Sequence, residues 1–201
     1  MTHSYSIFSL GDSAVTIDLG NSINEHWNRK VLAMQQWLQE PAFEGLMDII
    51  TAYSSLTVLY DPVLVKRKYQ PPGTIAAWVG EQLEKAFRES GEQLPDNIVT
   101  VDIPVCYSEA TGMDLAAMAQ QKKLSIDEII HLHTSVPYRV YMIGFLPGFS
   151  YLAEVDTRLI TPRKPRPVTV LPGSVGIAGS QTGIYPLASP GGWNIIGRTP
   201  V

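Results

Sequence analysis

The sequence predicts an α+β protein in two parts: a small N-terminal α/β sandwich, then a region of short strands and shaped loops. Three observations carry this. Apolar residues recur at strand and helix periods up to about residue 89. A polar stretch, Ser90–Asn97, carries Gly91 and Pro95 and reads as a linker. Beyond it glycine and proline accumulate: the 58 residues from Gly144 onward hold 9 Gly and 8 Pro, against 7 and 7 in the 143 before them. The expected domains are residues 1–92 and 98–201.

Tyr5–Leu10 and Ala14–Leu19 read as strands joined at Gly11-Asp12. Ser22 and Glu25 have the spacing of a capping box, so a helix is expected from Ser22. Ile23, Trp27, Val31, Met34 and Leu38 follow the helical period, and Pro41 stops it. The apolar runs Leu46–Tyr53 and Leu56–Tyr60 are two more strands, the second closed by Asp61-Pro62. After the break at Pro71-Pro72-Gly73, Thr74 caps a helix whose Ile75, Trp78, Val79, Leu83, Ala86 and Phe87 share a face. The order ββαββα is enough for a small sandwich.

Beyond the linker, Val99, Val101, Ile103 and Val105 alternate with Thr100 and Asp102, the pattern of a half-buried strand. Met113–Lys122 is expected to be helical. Ser125 and Glu128 form a second capping box, opening a short helix that ends near His133. Tyr138–Ile143 is a strand. The loops follow: Gly144–Phe149, Thr161–Pro167, Pro172-Gly173-Ser174 and Ser189–Trp193. Binding groups concentrate on loops held by a rigid scaffold, so chemistry is expected here.

Composition excludes several classes. With 45% hydrophobic and 17% charged residues, the chain is not disordered. No apolar run reaches the roughly 18 residues of a membrane span. The first residues lack the basic start and apolar run of a signal peptide, which points to the cytoplasm. One cysteine, Cys106, forms no disulfide framework within the chain and no multi-cysteine zinc site. The formal charge of −4 speaks against general nucleic-acid binding. That charge is unevenly spread: residues 139–201 hold Arg139, Arg158, Arg163, Lys164, Arg166 and Arg198 against Glu154 and Asp156, a net of +4, leaving −8 for residues 1–138.

Each motif has a plain reading beside a functional one. There is no Gly-x-x-x-x-Gly-Lys-Ser/Thr phosphate loop. Pro172-Gly173-Ser174-Val175-Gly176 approaches a nucleophile elbow, but Pro172 stands where a glycine belongs, and a turn is expected. His131 and His133 are two apart, so on a helix they face opposite ways and cannot share a metal ion; one packs near the helix end and the other is solvated. His3 and His26 are the remaining histidines, and no metal site is expected. Cys106 lacks a basic neighbour that would generate a thiolate, and reads as a small buried residue. The run Thr161–Pro167 holds three cations in a proline-stiffened segment. It is a solvated loop, or, with Arg139 and Arg198, part of a site for a carboxylate or phosphate, which guanidinium matches bidentately. Arg139, Arg163 and Arg198 are the anion-binding candidates. Gln181 and Ser189 are the polar ones, and Tyr151 and Trp193 would line the groove. Arg139 and Arg198 have an alternative role, bonding loop carbonyls within the fold. No catalytic residue or general base is assigned.

Residues 138–152 (Tyr-Arg-Val-Tyr-Met-Ile-Gly-Phe-Leu-Pro-Gly-Phe-Ser-Tyr-Leu), Pro172–Gly179 with Gln181–Pro186, and Ser189–Trp193 with Ile196–Pro200 carry a family resemblance. They resemble the signatures of the 5-oxoprolinase B-subunit family, also called allophanate hydrolase subunit 1 or the sporulation-kinase inhibitor family. Weaker matches run back through Glu128–Ser135 and Ile103–Tyr107 to Gly11-Asp12. The resemblance implies a cyclophilin-like β-barrel for the C-terminal domain. It implies a cytoplasmic hydrolase complex with two partner subunits, an A component and a C component that is itself cyclophilin-like, in which ATP is co-substrate for opening 5-oxo-L-proline to L-glutamate. No tightly bound cofactor is implied, and the chain alone is expected to be inactive. The same resemblance includes a regulator that inhibits a sensor histidine kinase, and half of the carboxyltransferase of a biotin-dependent urea carboxylase. Two departures stand out. Ser150 occupies a position where the family often has proline. The chain also stops at Val201, where the family continues for a further strand, so the barrel is expected to expose an edge.

Overall fold

A computed structural model describes residues 5–40, 42–91 and 99–200. The chain divides into two compact units, residues 1–98 and 99–201. His3, Pro41 and most of the expected linker (92–97) lie outside the described residues.

In unit one, β1 (Ser6–Ser9), β2 (Ala14–Asp18), β3 (Leu46–Thr51) and β4 (Ser55–Tyr60) form an antiparallel sheet in the order β1-β2-β4-β3. Helices α1 (Glu25–Gln39) and α3 (Ile75–Glu89) pack on one face. Alternation along β2 and β4 places Val15, Ile17, Leu56, Val58 and Tyr60 in the core, against Val31, Met34, Val79, Leu83 and Ala86 of the helices. Burying each of these large side chains contributes roughly 1.5–3 kcal/mol. Thr74 Oγ1 caps α3, accepting from the Ala77 N–H at 3.1 Å. The start of α1 differs from the expectation. Asn24 is its cap, accepting from the Trp27 N–H at 3.3 Å, while the Ser22 N–H is held by Ser54 Oγ outside the helix. An additional helix, α2 (Pro62–Tyr69), follows β4. Asp61 caps it through the Val63 and Leu64 N–H groups, and Pro62 fits its first turn because no N–H is needed there.

In unit two, α4 (Leu115–Lys122) and α5 (Ile126–Thr134) precede β5 (Arg139–Ile143), β6 (Ser150–Ala153), β7 (Val168–Val170), β8 (Ser174–Ala178), β9 (Gln181–Ile184), β10 (Ser189–Gly191) and β11 (Asn194–Arg198). The Ser125 capping box forms with both of its hydrogen bonds. Five strands make an antiparallel sheet, β11-β8-β9-β6-β5, and β7 pairs with β10 as a separate ribbon. One face, with Val175, Ile177, Ile184 and Ile196, packs on Leu115, Met118, Ile129 and Leu132 of the two helices. The opposite face carries the cluster Phe149, Val170, Tyr185, Trp193 and Ile195.

Two expectations are corrected here. Residues 99–105 do not form a strand, and Val99, Val101 and Ile103 are 82%, 70% and 49% exposed. Cys106 and Arg198 bond each other through both backbone pairs (2.8 and 3.0 Å). Two steps further along that register Pro104 would face Pro200, and neither has an N–H to continue the ladder. The implied barrel is also not closed: among the described residues β5 and β11 remain separate edges of an open sheet. Cys106 is exposed rather than buried.

Candidate functional site

The site is built on the aromatic face of the second sheet. Directly paired residues share a face, and Arg139 pairs with Ala153, Ala153 with Gln181, and Gln181 with Ala178. Trp193 precedes Asn194, the partner of Ile177, so it stands beside Ala178. The row therefore runs from Arg139 at one edge, through Gln181 in the middle, to Trp193 at the other edge. At about 4.8 Å per strand it is roughly 19 Å long along the sheet.

Two paired glycines form the floor beside this row. Gly176 faces Gly183 across β8 and β9. A Cβ on Gly176 would sit 3.0 Å from Trp193 Cβ, and one on Gly183 would sit 3.0 Å from Phe149 Cζ and 3.2 Å from Trp193 Cζ3. Their lack of side chains is what admits the rings. Phe149 is the hub, with edge-on contacts to Tyr151, Tyr185 and Trp193 at centroid distances of 4.9, 5.1 and 5.4 Å. Tyr151 reaches Trp193 at 5.9 Å. Arg163 lies with its guanidinium carbon 6.0 Å from the Trp193 ring, and Arg139 with its own at the same distance from Tyr141.

The loop that carries Arg163 is fixed on both sides of it. Thr161 bridges to Gly179, Asn194 Nδ2 donates to the Pro162 carbonyl at 2.9 Å, and the Lys164 N–H donates to Gly192 at 2.7 Å. Lys164 Nζ is paired with Asp114 at 2.5 Å, and the same Asp114 oxygen accepts from the Ile195 N–H at 2.7 Å. Of the three cations in Thr161–Pro167, one is thus consumed by the fold, while Arg163 and Arg166 stay exposed.

The structure brings together Tyr151, Trp193 and Arg163, with Gln181 and Arg139 further along the same row. Trp193 is only 4% exposed, so its ring supports this face from beneath and presents only an edge to solvent. Ser189 lies on β10, paired with Val170 of the aromatic cluster; its Oγ is buried and has no hydrogen-bond partner among the described residues. Arg198 lies at the other end of the strands from Arg139, on the opposite edge of the sheet, paired with Ser174. Its Nε donates to the Pro172 carbonyl at 2.8 Å, the loop-holding role that was the alternative for it. Pro172-Gly173-Ser174 is a turn, with Gly173 at φ +79° and Ser174 buried at the start of β8.

Sequence reasoning does not single out Asp114, whose spacing of 50 residues from Lys164 gives no local signal. Phe145 is, with Phe149, Tyr151, Tyr185 and Trp193, one of the aromatic residues that the sequence offers as an apolar wall. This residue is 61% exposed at φ +71°, a conformation costly for a side chain with a Cβ, and its ring stands edge-on to Phe149 at 5.7 Å. On the helical face, His133 is buried between Tyr107 Oη (2.8 Å to Nδ1) and Thr182 Oγ1 (2.8 Å to Nε2). Thr182 donates to the Gly176 carbonyl at 3.1 Å. With that proton committed, His133 donates from Nε2, and in the neutral ring Nδ1 accepts from the Tyr107 hydroxyl. Burial moves its pKa down to about 4, and burial raises Tyr107 and Tyr138 to about 12. His131 is exposed, so the two histidines divide as expected. Among the described residues no three metal-binding side chains come together, and no helix is long and apolar enough to cross a membrane.

Residues 5–201 match the family model described as carboxyltransferase domain, subdomain C and D. The chain is 44% identical to the B subunit of 5-oxoprolinase from Bacillus subtilis (strain 168), over 100% of this chain and 85% of that protein. It is similar to the crystal structure of TTHA0988 with a TM-score of 0.78 and 36% identity, covering 94% of this chain but only 35% of that one. It thus spans about a third of that larger molecule. The Kluyveromyces lactis urea carboxylase shares the fold, with a TM-score of 0.73 at 15% identity over 97% of this chain and 19% of that chain. A sheet whose glycine floor seats an aromatic cluster, carried on a chain matched almost end to end, places this protein in the carboxyltransferase subdomain C and D family, beside the B subunits of 5-oxoprolinase.

Proposed function

We propose that this chain is the B subunit of an ATP-dependent 5-oxoprolinase complex that opens 5-oxo-L-proline to L-glutamate, working in the cytoplasm with the A and C subunits of the same enzyme. The observation that carries the reading is the 44% identity to a 5-oxoprolinase B subunit over the whole chain. The exposed Arg163, seated on Trp193 in a fixed loop, supports it.

A lactam carbonyl is a weak electrophile. In the complex, its oxygen takes the terminal phosphoryl group of ATP as ADP leaves, which makes the carbon open to water. Water adds, the carbon–nitrogen bond breaks with a proton passing to nitrogen, and hydrolysis of the acyl phosphate releases phosphate and glutamate. Arg163 binds the anionic group, substrate carboxylate or transferred phosphoryl, through paired N–H donors. Gln181 offers a neutral donor, and Tyr151 with the Trp193 edge gives an apolar wall. A ligand as small as 5-oxoproline cannot span a row of about 19 Å. Arg139 is therefore assigned to a second anionic group on the same face. Arg198 and Ser189 are assigned to the fold.

The test is ATP hydrolysis coupled to glutamate release, for the chain alone and mixed with the A and C subunits. Activity only in the mixture supports the proposal. No activity from a folded, verified complex overturns it. The family's description as a carboxyltransferase domain favours a second reading, carboxyl transfer from a biotin carrier, which would show as ATP- and bicarbonate-dependent carboxylation once a biotinylated carrier and its biotin carboxylase are added.

A further inference from the structure

The two edges of the first sheet are treated differently. At β3 the ladder carries a bulge between Leu46 and Asp48, and the outward N–H of Ile49 is taken by Asp48 Oδ1 at 2.8 Å. These devices blunt an edge. β1 has neither. Leu10 N–H bonds Ala14 O, so by antiparallel alternation Phe8 and Ser6 also bond inward to β2. The N–H and C=O groups of Ile7 and Ser9 then point outward, and among the described residues no partner meets them. Beside this edge runs a groove of about 370 Å³ between β1 and α3, lined by Ile7, Ser9, Ala77, Gly80, Glu81 and Glu84. Gly80 sets its depth: a Cβ there would stand 3.3 Å from Ile7 Cγ2. Glu81 is exposed, and among the described residues Glu84 has one ion-pair partner, Arg88, at 3.4 Å on the surface. Phe8, 44% exposed, stands on the sheet face away from the helices.

We propose that β1 accepts an added strand from another protein, an extended segment with lysine or arginine at alternate positions. Its backbone bonds Ile7 and Ser9. Its basic side chains lie on the α3 side, stems over Ala77 and Gly80 and charges at Glu81 and Glu84, while the intervening apolar residues flank Phe8. Pairing with a second copy of this chain would bring glutamates against glutamates, so a basic partner is the occupant. The inference does not depend on the proposed reaction.

The probe is a blocked octapeptide alternating Lys and Val, titrated into the full-length, isotope-labelled chain and followed by amide NMR. The expected result is shifts centred on Ile7 and Ser9, with their amide exchange slowed. Glu81→Lys with Glu84→Lys should weaken binding at least tenfold. Ser9→Pro, which removes an outward N–H and no inward one, should do the same with the spectrum away from β1 unchanged. The Glu/Val peptide and a backbone N-methylated Lys/Val peptide should not bind. Equal binding of the N-methylated peptide, shifts at β3 instead, no shift at Ile7 and Ser9, or concentration-dependent self-pairing at those amides without peptide would each overturn the proposal. No substrate is used, so failure here leaves the reaction assignment standing.

Discussion

Acidification should destabilise unit two within a defined window, and His133 sets it. The ring is 6% exposed and bonded at both nitrogens, by Tyr107 and Thr182, and its burial disfavours the charged form. Its folded pKa is about 4, against 6.5 for the free side chain. Because the folded value lies below the unfolded one, the unfolded chain takes up the proton first. Stability from this group is therefore complete above about pH 6.5 and falls as pH drops towards 4. Below that both states are protonated and the loss levels off. At about 1.4 kcal/mol per pKa unit the total is about 3.5 kcal/mol. The assay is native-state hydrogen exchange of the Thr182 and Ile177 amides between pH 7 and 4.5, corrected for intrinsic rates, which reads the opening free energy of the sheet. The comparison is His133→Gln, which keeps a donor and an acceptor but does not titrate. The wild-type minus variant difference should fall as pH falls. A flat difference across that window, or one that grows, refutes the reasoning.

Three further outcomes are expected. Gly191→Ala would place a Cβ 2.4 Å from Tyr185 Oη, in a ring that is 1% exposed, so it should cost about 1–3 kcal/mol in thermal melting, partly relieved by Tyr185→Phe. Arg163→Ala should leave the melting temperature unchanged and lower coupled ATP hydrolysis of the assembled complex by about 10–100-fold, the loss of one charge-assisted contact, whereas Arg198→Ala should cost about 1.5 kcal/mol of stability by releasing the Pro172 carbonyl. Phe145→Gly relieves the φ of +71° and should leave the melting temperature unchanged or raise it; a fall in activity of the complex would identify the exposed ring as a ligand contact.

Local chemistry is legible in the sequence. The Ser125 capping box, the Thr74 cap and the apolar faces of α1 and α3 depend on residues three or four apart, and each is where the pattern puts it. Where two local signals compete, the pattern misleads. Ser22 and Asn24 both suit a cap, and a long-range bond to Ser54 decides for Asn24. Asp61-Pro62 reads as the end of a strand, yet it also begins α2. The alternation at 99–105 is real, but whether a strand forms depends on what lies opposite, and the proline pair blocks it. The site is legible as residue types only. That Arg139 and Gln181 share a row while Arg198 stands at the far corner follows from register across four pairings, set by bulges at Val140/Met142 and Ile195/Gly197 that no single segment reveals.

The anchoring of residues 161–164 separates two tasks that a binding loop often combines. The path of the loop is held by Thr161, Pro162, Lys164 and their partners Gly179, Asn194, Gly192 and Asp114. None of those bonds involves the Arg163 side chain. Position 163 is thus a socket in which the side chain can be exchanged while its frame stays intact. On the anion-binding role proposed for Arg163, ligand preference can change by single substitutions there, without the loss of stability that usually limits such changes.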